Sequence, residues 1–159
     1  MAYLIDGNNF IGHTSPHNLR DPQSKYDLVS KLQIFHYITK TKVILVFDGN
    51  PDPNLTGEKF RDKTLSVIFP PGGQNADGVI KEIILKQSDL RRFFVVSSDR
   101  EIKSFARSKG ANPLSCKEFN RELKTIMKEH RKFLEKEKNV TLPSPLEINQ
   151  WLNIFKNKK

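Results

Sequence analysis

One cysteine, Cys116, occurs in 159 residues. No internal disulfide can form, which suits a reducing compartment. A cysteine zinc site is also excluded, and Cys116 reads as a small core hydrophobe. Long apolar runs are missing as well. None approaches the ~18 residues of a membrane span. After Met1 the chain reads Ala-Tyr-Leu-Ile-Asp-Gly-Asn-Asn, with no basic leader of the secretory kind. The expectation is a soluble, non-secreted protein with no membrane partner. Histidine is sparse, and His13, His17, His36 and His130 have no metal-site spacing. His36 falls on a helical pattern and reads as a packing residue. There is no Walker A or GxGxxG stretch, and Pro71-Gly72-Gly73 is too short to cradle a nucleotide.

Basic charge is plentiful. Lys and Arg number 27 against 18 Asp and Glu, a net charge of +9. From Lys117 to Lys159 the balance is 11 Lys/Arg against 6 Asp/Glu, so the excess is concentrated in the last quarter. Such a balance favours polyanionic partners through phosphate contacts, although ordinary solubility also produces it. The 36% hydrophobic content, with 11 Phe, is enough for one cored domain.

Short runs rich in β-branched and aromatic residues read as strands: Tyr3–Ile5, Val43–Phe47, Leu65–Phe69 and Phe93–Val96. The second and fourth are continuously apolar, as central strands covered on both faces are. Asn112–Ser115 is a shorter candidate, and Pro113 assigns it to an edge or a strand start. Helical spacing links Leu28, Leu32, Phe35 and Ile38. It also links Ala76, Val79, Ile80, Ile83 and Ile84, behind an Asn75 N-cap. Ile102, Phe105 and Ala106 lead to a C-cap at Gly110. Strands alternating with helices predict a parallel α/β sheet. A long amphipathic helix follows at about 117–138, with Phe119, Leu123, Ile126, Met127, Phe133 and Leu134 as its apolar stripe. Arg121, Lys124, Lys128 and Lys132 share another face, which suits either a solvated surface or phosphate contacts. A linker containing Pro143 and Pro145 precedes a final short helix through Leu146, Ile148, Trp151, Leu152 and Phe155.

Four aspartates sit where chemistry is usually placed. Asp6, Asp48 and Asp99 close the first, second and fourth strands, and Asp77 opens a helix. In a parallel sheet these positions share the C-terminal edge, where ligands bind. A carboxylate cluster repels itself unless hard cations neutralise it, and Mg²⁺ and Mn²⁺ prefer oxygen ligands. Each acid alone also fits a structural role: Asp6-Gly7 and Asp48-Gly49 as turns, Asp77 and Asp99 as acids at helix N-termini. The coincidence of all four on one edge points to a site.

The ordered segments Asp6-Gly7-Asn8-Asn9, Val46-Phe47-Asp48-Gly49, Asn75-Ala76-Asp77 and Ser97-Ser98-Asp99-Arg100 resemble the motifs of NYN domains in the PIN-like nuclease superfamily, most closely the YacP-like group. The similarity runs from Met1 to about Lys136, and Ser115–Phe119 also fits that group. It implies a PIN-like three-layer α/β/α sandwich around a mainly parallel sheet of about five strands. It implies a nuclease domain over 1–138, with 139–159 as linker and short helix. It further implies a divalent-metal-dependent endoribonuclease acting on RNA, with the ribosome as a partner, in a bacterial cytoplasm or a plastid-type stroma. The metal-binding and catalytic acids carry over to Asp6, Asp48, Asp77 and Asp99. Asn9, Ser98 and Arg100 would flank the substrate.

Two rival functions are compatible with these motifs. A degenerate member would bind RNA or a ribosome without cutting. A haloacid-dehalogenase-type phosphatase also ends its first strand in Asp, but it needs an acid two residues on, where this chain has Asn8.

Overall fold

The computed structural model describes residues 1–15, 20–56 and 65–139. The chain divides into two compact units, Met1–Met127 and Lys128–Lys159.

The first unit is built on five strands: β1 (Ala2–Asp6), β2 (Lys42–Val46), β3 (Leu65–Ile68), β4 (Phe93–Val96) and β5 (Asn112–Leu114). They form one sheet in the order β3-β2-β1-β4-β5, and every pairing is parallel. All five predicted strands are present, with boundaries shifted by a residue or two. Phe69 lies just past β3 and packs against the Phe47 ring at 5.7 Å. The Pro113 strand lies at an edge, where the missing N–H costs no ladder bond. From β1 the chain builds the sheet outward to β3 and then returns to add β4 and β5 on the other side. The strand order therefore reverses between β1 and β4.

Side-chain alternation along the central strands produces two cores. Tyr3, Ile5, Val43, Leu45 and Val96 face one layer, containing α1 (Gly7–Thr14), α2 (Pro22–Thr39) and the first turns of α6 (Cys116–Asn139). Leu4, Ile44, Val46, Phe93 and Val95 face the other, formed by α4 (Ala76–Leu85) and α5 (Arg100–Lys109). This is the predicted three-layer α/β/α arrangement. A one-turn α3 (Pro53–Thr56) precedes β3 and buries Leu55. Tyr3, Phe10, Phe35, Phe94 and Phe119 form an aromatic cluster on the α1/α2/α6 side, with ring centroids 5.1–5.8 Å apart.

Local signals explain the helix ends. The Asn75 side chain accepts the Gly78 N–H at 2.9 Å, so the predicted cap is made. Gly110 closes α5 at φ +95°, a left-handed conformation that favours glycine. His36 is half-buried in the last turn of α2, where its Nδ1 lies 2.6 Å from the Thr41 carbonyl oxygen. α1 was not anticipated from sequence, since Gly7, Asn8 and Asn9 are all poor helix formers. Burial of Phe10 and Ile11 overrides that preference. Gly7 is also required by space. A Cβ there would lie 2.5 Å from two Phe47 ring carbons and 3.0 Å from the Val46 carbonyl oxygen.

Along α6, Phe119 and Leu123 are buried and Ile126 and Met127 partly so. In the second unit Phe133 and Leu134, predicted for the same stripe, are exposed. The predicted linker and final helix lie outside the described residues.

Candidate functional site

β1 ends at Asp6 in the centre of the sheet, beside the reversal between β1 and β4. Asp6 is only 6% exposed. Ser97, which follows β4 and is fully buried, donates its hydroxyl to Asp6 Oδ2 at 3.2 Å. Burial pushes the Asp6 carboxyl up to about 6 from 3.8. The Ser97 hydrogen bond and the Asn9 backbone pull the other way, while the charges of Asp77 and Asp48 add to the rise. Two of the other predicted acids thus lie within electrostatic reach of Asp6.

Asp48, just past β2, is exposed. Its N–H donates to Asn8 Oδ1 at 2.9 Å, and its Oδ1 accepts the Ala76 N–H at 2.8 Å. One side chain thereby ties the β2 loop to the start of α4. Gly49 adopts φ +94°, a left-handed conformation of the kind a turn at Asp48-Gly49 would use. Gly7 is helical, so the turn reading fails for Asp6-Gly7.

Asp77 lies in the first turn of α4. Its pKa is raised by burial, then by Asp99, Asp48 and Glu101, with Lys81 opposing. Lys81, one turn further along, pairs with Glu101 at 2.6 Å and links α4 to α5. Asp99 caps α5, its Oδ1 accepting the N–H groups of Glu101 at 2.8 Å and Ile102 at 3.2 Å. The structural role foreseen for Asp99 is therefore present. All four acids share the C-terminal edge of the sheet. Among the described residues, no three Asp, Glu, His or Cys side chains converge as a ready-made cation cage.

Asn9 is a junction. Its Oδ1 accepts the Ser98 N–H at 2.8 Å and the Cys116 thiol at 3.2 Å. The Ser98 hydroxyl accepts the Cys116 N–H at 3.1 Å and so caps α6. Asn9 and Ser98 thus hold α1, the loop after β4 and the start of α6 together. Cys116 is fully buried, as expected of a core thiol, and burial raises its pKa. Arg100 is exposed at the start of α5, and Arg121 and Lys124 are exposed on α6. Lys128 and Lys132, in the second unit, are also exposed. Sequence reasoning missed Ser97, Asn8, Lys81 and Glu101. Ser97 carried a readable signal: a polar residue ending a continuously apolar strand, as Asp6 does.

Among the described residues, no helix is long and apolar enough to cross a membrane. No curated protein matches the chain. Solved structures of one bacterial protein are similar to it in fold. Rae1 (YacP) from Bacillus subtilis superposes with a TM-score of 0.75 at 22% identity, covering 99% of this chain and 93% of that one. A point mutant of the same protein gives 0.73 at 24% identity, covering 87% and 84%. The family model of the YacP-like NYN domain matches residues 3–151. With nearly its whole length matched, the chain belongs to the YacP-like NYN domain family.

Proposed function

We propose that the chain is a divalent-metal-dependent endoribonuclease that cleaves RNA phosphodiester bonds, with mRNA on the ribosome as its setting. The observation that carries this reading is charge held against its own cost. Asp6 is buried at the point where the strand order reverses, and its pKa is raised to about 6 by burial and by the charges of Asp77 and Asp48. Burying an ionisable carboxyl such as that of Asp6 is unfavourable on packing grounds alone.

The donors on this rim are carboxylate oxygens, which in chemistry fit Mg²⁺ or Mn²⁺. Asp6, Asp48, Asp77 and Asp99 would hold the cation. Such an ion, when bound, neutralises charge on a phosphate oxygen and acidifies a water. The chain's own residues orient and recruit. Ser97 fixes the Asp6 carboxylate. Asn9 fixes the loop carrying Ser98 and Asp99. Arg100, Arg121, Lys124, Lys128 and Lys132 supply exposed positive charge for phosphates, which positions RNA without reading its sequence.

One observation favours a second reading, an RNA- or ribosome-binding module that does not cut. The described acids do not converge as a cage, and Asp48 and Asp99 each serve as a structural tie. The phosphatase reading gains nothing: Asn8 stands where its second acid belongs, and its side chain holds the Asp48 N–H.

Incubating the protein with single-stranded and structured RNA, in Mn²⁺ and in EDTA, separates these readings. The nuclease reading expects cleavage in Mn²⁺ only, lost in Asp6→Asn and Asp99→Asn. RNA binding without cleavage in any metal would establish the second reading. Undiminished cleavage in EDTA would end the metal-dependent one.

A further inference from the structure

We infer that the cleft between α1, α2 and α6 binds one nucleotide of a single-stranded RNA, with Lys31 and Lys124 taking its phosphates. This rests on the reading of RNA as substrate and adds a second contact zone beside the acidic rim. The cleft is open, with a volume of about 230 Å³. That is smaller than the ~300–1,000 Å³ typical of small-molecule sites, so it suits one unit of a polymer anchored elsewhere. Phe10, Leu28 and Leu123, each nearly fully buried, form its floor, and its accessible lining is mostly polar. Lys31 from α2 and Lys124 from α6 line it from two different helices, and both are exposed. Among the described residues neither makes an ion pair. Asp27 is the one carboxylate among the lining residues, and it accepts the Gln23 side-chain amide at 3.1 Å. Two ammonium groups against one carboxylate leave the cleft net positive.

Its position favours a strand that continues from the rim. α1 starts at Gly7, next to Asp6, and its last turn brings Thr14 to the cleft. α6 starts at Cys116, bonded to Asn9, and its second turn brings Asn120 there. An 8-residue helix is only about 12 Å long. A strand held at the rim therefore reaches the cleft within a short stretch. Splayed single-stranded bases, unlike those of a duplex, can enter such a site.

The test measures binding of a short fluorescein-labelled single-stranded RNA to the full chain in EDTA, across a salt series, so that cleavage plays no part. Lys31→Gln with Lys124→Gln should weaken binding several-fold and lower the salt slope by about 1.4, at about 0.7 per lost contact on a single strand. Lys42→Gln with Lys86→Gln, exposed lysines outside the cleft, should have a clearly smaller effect. Asn120→Trp, which fills the cleft without changing charge, should also weaken binding. Equal effects of the two lysine pairs would overturn the inference, and so would an unchanged affinity in Asn120→Trp. Cleavage in Mn²⁺ with normal binding by the cleft variants defeats only this inference. Cleft-dependent binding without any cleavage defeats only the nuclease reading.

Discussion

The Ser97 hydroxyl donates to Asp6 Oδ2 at 3.2 Å and accepts the Asp99 N–H at 3.1 Å. One buried hydroxyl thus orients the central acid and fixes the backbone of another across the reversal point of the sheet. Ser97→Ala removes a bond that favours ionised Asp6 and leaves the Asp99 N–H without this partner. Stability should fall by about 1–3 kcal/mol, read by urea unfolding. The Asp6 pKa should rise further, read by carboxyl NMR titration.

Asp6 also sets a pH dependence of stability. Its folded pKa of about 6 exceeds the ordinary 3.8. The native state therefore binds the proton more tightly than the unfolded chain does. The associated stability is fully present below pH ~4 and is lost as pH rises through about 6. At about 1.4 kcal/mol per unit, the loss is about 2–3 kcal/mol. Asp6→Asn should flatten this slope and raise stability at neutral pH, while abolishing the proposed activity. Urea unfolding of both proteins between pH 4 and pH 8 checks this; parallel pH profiles would contradict it.

Gly7→Ala should destabilise the protein by about 1–3 kcal/mol through overpacking against the Phe47 ring. The Val46 carbonyl limits any backbone escape. Part of the loss should return in the double variant with Phe47→Leu. A denaturation cycle over the two positions measures the coupling, and additive effects would show that the ring moves aside freely.

Asn9→Ala should release the Ser98 amide, which has Asn9 Oδ1 as its acceptor. Native-state hydrogen exchange at Ser98 should accelerate markedly, with stability lower by about 1–3 kcal/mol. Unchanged exchange at Ser98 would mean that Asn9 is not what holds this loop.

The sheet and most helices were legible because their signals are local. Continuous apolar runs marked β2 and β4, a proline marked the edge strand, and Asn75 and Gly110 marked helix ends. The positions of Asp6, Asp48, Asp77 and Asp99 on one edge followed from topology alone. α1 was not legible, because tertiary burial of Phe10 and Ile11 decides it against local propensity. Ser97 was visible as the polar residue after an apolar strand, but its partners, like those of Asn9, were hidden for a related reason. Each bonds to residues far along the chain, up to 107 positions for Asn9 and Cys116, which no local pattern reports. The dual use of Asp99 as rim acid and helix cap is likewise a matter of which atoms the fold brings within 3 Å or so of its carboxylate.

The central claim is that the acidic rim is a cation site. A crystal soaked in Mn²⁺ and measured for anomalous scattering tests it most directly. The account predicts a manganese peak at the C-terminal edge of β1, within about 2.0–2.6 Å of an Asp6 carboxylate oxygen and bordered by Asp48, Asp77 or Asp99. A soaked crystal with manganese bound elsewhere and none on this rim would contradict it.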